Sequence, residues 1–126
     1  MPVSHIPDGV RRFLIGVIPS VPHLEALLLL HSAPGRAWDA ETLAARLYVS
    51  AAVAADVLAH LRRRGLAVPQ DGGMRYAPRD ETLAIVVDEL AGVYARNVVE
   101  VAELIHSSSD RKARRFADAF RLRKEP

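Results

Sequence analysis

Cysteine is absent from this 126-residue chain, which excludes a disulfide scaffold, a thiolate zinc centre and a cysteine nucleophile. No excess of one charge dominates: 17 Lys and Arg stand against 15 Asp and Glu, a formal net charge of +2. Long apolar runs are missing too. Arg11-Arg12 followed by Phe13–Ile18 has the look of an export signal, but only six residues precede Pro19; a signal core needs roughly 7–15. Residues 13–33 lack Lys and Arg, yet Pro19, Ser20, Pro22, His23 and Glu25 interrupt them, and a carboxylate is costly at a bilayer centre. The expectation is a cytoplasmic protein with no membrane partner. What is present is a globular composition, 50% hydrophobic and 25% charged, in a length that suits one domain. About two thirds of the unfolded surface can be buried at this size.

Residues 1–9 are punctuated by Pro and Gly, and 10–18 read as either a short helix or a strand. Segment 1–19 is therefore an N-terminal arm or short helix. Ser20 is placed to cap a helix with Pro22 in its first turn, where a missing N–H costs nothing. Leu24 and Leu27 to Leu30 make that helix apolar nearly all round, as a central core helix is. Ser32-Ala33-Pro34-Gly35 ends it. Asp39 caps a short amphipathic helix through Leu47, and Ser50 caps the next, 51–64, with Val53, Val57, Leu58 and Leu61 on its apolar face. Gly65 fits the left-handed position past its end. Two short helices joined by about three residues form a helix-turn-helix pattern.

Leu66–Pro69 and Met74–Ala77 flank Gln70-Asp71-Gly72-Gly73, whose residues supply the positive φ of a tight hairpin. Pro69 suits an edge strand. A hairpin directly after a helix-turn-helix is a wing, so 20–79 reads as one winged unit. Asp80 then caps a long helix expected to reach about His106. Leu83, Val87, Leu90, Tyr94, Asn97, Val101 and Leu104 alternate at spacings of four and three, a coiled-coil-like seam suited to a homodimer. Asn97 in that seam either pairs across a two-fold axis or sits at the rim of a monomeric core. Ser107-Ser108-Ser109 is expected to interrupt, followed by a last amphipathic helix over 110–123 bearing Phe116 and Phe120. Segment 80–126 is thus a helical dimerisation or interaction segment. The fold class is mainly α with a small β-hairpin, a winged helix-turn-helix with a long C-terminal helix.

The run Asp39-Ala40-Glu41-Thr42-Leu43-Ala44-Ala45-Arg46-Leu47, then Ser50, then Leu58 through Leu66, resembles winged helix-turn-helix transcriptional regulators, the MarR and PadR groups above all. The resemblance covers about forty residues within 38–79, and it implies a DNA-binding homodimer with helix 51–64 in the major groove and the wing, 66–77, on the backbone. Ser50, Ala52 and Asp56 would then approach bases. The alanines can touch a thymine methyl but offer no bidentate donor pair, whereas Asp56 can accept from cytosine and also repels phosphate. An alanine-rich surface equally suits packing on protein, so the alternative is a degenerate winged-helix interaction module. Arg62 and Arg63 with Arg75 on the wing would hold phosphates, the competing account for the first two being the helix dipole. An effector would sit between the winged unit and the long helix, near Tyr94 and Trp38.

Charge divides by region. Residues 1–79 hold nine bases and six acids, 80–106 one base and six acids, and 107–126 seven bases and three acids. The acidic stretch is a poor nucleic-acid surface, and the basic tail with Phe116 and Phe120 is a possible protein contact. His5, His23, His31, His60 and His106 are dispersed without metal-ligand spacing, and His60 reads as a surface or groove-facing residue. No phosphate loop follows Gly72-Gly73, and the serines at 107–109 have no neighbouring base. No catalytic site, metal or cofactor is expected.

Overall fold

In the computed structural model, which describes residues 5–124 and side chains as far as Ala119, the chain runs α1 (Asp8–Val17), α2 (Val21–Ser32), α3 (Ala40–Leu47), α4 (Ala51–Arg63), β1 (Ala67–Gln70), β2 (Gly73–Tyr76), α5 (Glu81–Arg96) and α6 (Val98–Lys124). It is a mainly helical chain with one small antiparallel hairpin. The four expected caps are all formed: Ser20, Asp39, Ser50 and Asp80 accept from the backbone N–H of His23, Thr42, Val53 and Leu83. Each cap satisfies one of the donors a helix start leaves open, worth about 1 kcal/mol.

Leu24, Leu27 and Leu30 have no exposed surface, and α2 touches α3, α4, β2, α5 and α6. Burying each such leucine contributes about 1.5–3 kcal/mol, so α2 is the axle of the core. The segment that the sequence left between helix and strand is helix α1, which packs on α5 and α6. Its own last turn has no basic residue. Its final carbonyls are met from elsewhere: Lys112 Nζ donates to Ile15 O, Arg64 Nη2 to Gly16 O at 3.2 Å, and His60 Nε2 to Val17 O at 2.6 Å. The charges of Lys112 and Arg64 there offset the negative end of the helix dipole.

The hairpin is a two-residue turn with φ of +50° at Asp71 and +77° at Gly72, the geometry that matches strand twist. Register pairs Val68 with Arg75 and Ala67 with Tyr76. β2 is paired on both sides, because Trp38 N–H donates to Met74 O at 2.8 Å and Met74 N–H to Trp38 O at 2.9 Å. Gly73 permits that contact: a Cβ there would lie 2.5 Å from Trp38 O. β1 keeps a free edge, where Pro69 is harmless. Gly65, at φ +74°, turns the chain out of α4 as expected.

The C-terminal half departs from expectation in three ways. The long helix breaks at Asn97, not at the serines. Asn97 has φ −140° and ψ 51°, and its Nδ2 donates back to Val93 O at 3.1 Å, so the side chain competes with the helical ladder. Its carbonyl then accepts from Val101 N–H and opens α6. Ser107, Ser108 and Ser109 lie inside α6, where Ser107 Oγ donates to Leu104 O and Ser109 Oγ to Pro19 O; short hydroxyl side chains bonded to carbonyls do not end a helix. Third, the seam faces inward. Val87, Leu90, Val101 and Leu104 are buried in the chain's own core, with Leu83 and Tyr94 packed against it. The four buried side chains are therefore not surface for a homodimer, Leu83 and Tyr94 are half-buried, and Asn97 is a helix junction. The side chain of Phe120 lies outside the described residues.

Among the described residues no single helix is long and apolar enough to cross a membrane.

Candidate nucleic-acid interface

Helices α3 and α4 are joined by three residues and bent by 108°. Tyr48 opens that connection in the left-handed region at φ 57°, with its side chain 94% exposed. A non-glycine residue there carries about 1–2 kcal/mol of steric cost. The inner face of α4 holds Ala54, Val57, Leu58 and Leu61. Val53, assigned to that face by sequence, is 42% exposed, and Ala54 takes the position instead. The helix phase therefore turns Ser50, Ala51, Ala52, Ala55 and Asp56 outward, uncovered by the chain.

Beside this face the hairpin leaves a cleft of about 220 Å³ in which Ala55, Leu58 and Ala59 face Gly72, Gly73 and Met74. Asp39 stands at its edge, its carboxyl held below the ordinary value by the Thr42 backbone N–H. The cations gather elsewhere. Arg62 and Arg63 are exposed at the C-terminal end of α4, while Arg64 turns to α1. Arg75 is half-buried beside its own strand, with Nη1 3.5 Å from Tyr76 O, and the hairpin tip carries Asp71. Of the six residues expected at DNA, Ser50, Ala52 and Asp56 share the free face of α4 with Arg62 and Arg63 at its far end; Arg75 is set apart on the hairpin. Arg36, which the sequence also offers as a phosphate contact, stacks 3.8 Å over the ring of Trp38, the residue that pairs with Met74 beside the hairpin turn.

Behind α4 lies a polar cluster that sequence reasoning missed. His60 is partly buried and bonded to Val17 O, so it faces α1 and not a groove. The His23 ring meets it edge-on at 4.8 Å. Ser20 Oγ and His23 Nδ1 are 2.6 Å apart. Burial, then the neighbouring His60, holds the His23 pKa down to about 4, with Asp56 pulling weakly the other way. His23 is therefore neutral, and its Nδ1 and the Ser20 hydroxyl share a hydrogen bond. The i, i+37 separation of the two histidines carries no local signal that would have paired them.

Tyr94 lines a separate groove of about 440 Å³ with Glu25, Leu28, Leu29, Arg46 and Leu47. Its phenol is pushed up by burial and by Glu25. Trp38 is buried and takes no part in that groove. No cluster of three or more potential metal ligands occurs among the described residues. No family model, curated protein or solved structure matches the chain.

Proposed function

We propose that this chain is a winged-helix DNA-binding regulator, with α4 presented to the major groove and the hairpin alongside as the wing. The observation that carries the reading is the free face of α4, flanked by a hairpin that Trp38 holds in place through β2. Two helices near a right angle followed by a β-hairpin are what such a module requires. With alanines on the reading face, affinity would come chiefly from phosphate contacts by Arg62 and Arg63. Two copies on half-sites roughly 34–36 Å apart would join through three of the apolar residues exposed on α5 and α6, Ile85, Val98 and Val99, and not through the buried seam.

A salt titration tests this. Anisotropy of a mixed-sequence duplex should show affinity falling steeply between about 50 and 200 mM salt, as counterion release demands. Arg62→Glu with Arg63→Glu should weaken binding and flatten the slope. Undetectable binding at low salt would overturn the reading. A second reading, a module that binds protein, is favoured by exposed Tyr48 and Val53 beside the alanines and by the absence of cations there. It would be supported by duplex affinity unchanged in the double variant.

A further inference from the structure

A second cluster of positive charge, apart from the residues assigned to DNA, lies on α6 where it passes the end of α1. Ser108, Arg111, Lys112 and Arg115 recur at spacings of three, four and seven, one face of a helix. With Ile15 of α1 they line a cavity of about 220 Å³. Ser108, only 6% exposed, is part of that lining. Among the described residues, no carboxylate lies within ion-pair distance of Arg111, Lys112 or Arg115. The carbonyls at the end of α1 would repel an anion, but Lys112, Arg64 and His60 already cover them.

We propose that this cavity is a binding site for the phosphate group of a small phosphomonoester. Two guanidiniums one helical turn apart supply paired planar donors for tetrahedral oxygens. The Lys112 ammonium adds a point charge, and the Ser108 hydroxyl gives the site a neutral donor. A dianion suits three cations better than a carboxylate does. The proposal uses none of the residues assigned to DNA, so either can fail without the other.

The test is titration of the full chain with inorganic phosphate and with pyrophosphate, followed by ³¹P line broadening and calorimetry. Both should bind, pyrophosphate the more tightly. Arg111→Gln with Arg115→Gln, both exposed and tolerant of change, should weaken binding by at least about tenfold, the loss expected for charged hydrogen bonds. Ser108→Ala should weaken it less, with helicity unchanged. No binding of either anion up to about 20 mM, or equal binding by the double variant, would overturn the proposal. Displacement of pyrophosphate from this site by a duplex would assign the anion to a nucleic-acid strand and overturn the small-molecule ligand.

Discussion

The free face of α4 and the outer face of α6 are both helical, both exposed and built on opposite chemistry. On α4 the outward residues are Ser50, Ala51, Ala52, Ala55 and Asp56; on α6 they include Arg111, Arg114 and Arg115. The first has the placement of a reading helix with almost nothing to read with. The second has the charge of a polyanion surface and only the end of α1 beside it. Shape and electrostatics, which a nucleic-acid protein normally combines, are distributed over two helices of this molecule. Fold alone therefore says less about ligand chemistry here than the position of each guanidinium does.

The largest effect should come from the side of α5 that faces inward. Leu90→Ala is expected to cost about 2–5 kcal/mol in urea unfolding, whatever the oligomeric state. A loss below 1 kcal/mol, on the order of a surface substitution, would mean that the seam is not core. The contrast between the two outer faces can be sharpened by adding to the poorer one. Ala52→Arg should raise duplex affinity about tenfold if α4 lies in a groove, since a good base contact is worth about 1–3 kcal/mol; an unchanged value would remove α4 from the interface.

Acid should weaken the back of α4 before its front. His23 titrates near 4 when folded against 6.5 for the ordinary side chain, so the unfolded chain binds more protons between those values. This contribution to stability is complete above about pH 6.5 and declines as pH falls toward 4. Melting of wild type and His23→Gln across that window should show a shallower acid decline in the variant. The smallest effect concerns the hairpin. Tyr76 OH is buried with no partner, so Tyr76→Phe should be neutral or stabilising by up to about 1 kcal/mol. A clear destabilisation would show that the hydroxyl is bonded in solution.

Local chemistry was legible residue by residue. Ser20, Asp39, Ser50 and Asp80 act as caps because a short oxygen side chain meets donors three residues on, and Asp71-Gly72 turns because both accept positive φ. The phase of α4 was misread at Val53 because apolar identity was weighed above size. Small Ala54 fits the tight approach of α4 to its neighbours, and the β-branched side chain is left outside. The break was placed at Ser107–Ser109 for composition, whereas Asn97 makes it with a bond to Val93 O. Of the expected interface, the exposure of Ser50, Ala52, Asp56, Arg62 and Arg63 followed from periodicity. The setting of Arg75 did not, because a strand residue's surroundings depend on what packs across the hairpin.

The sequence by itself determined where helices start, where the hairpin turns and which stretches are apolar, since those depend on contacts within a few residues. Only the tertiary structure decided what the apolar stripes face, that Trp38 pairs with Met74, that His23 meets His60, and that Lys112 and Arg64 converge on the end of α1. Those pairings join residues 36 to 97 positions apart, and the energy that selects them belongs to burial around α2, which no local pattern records.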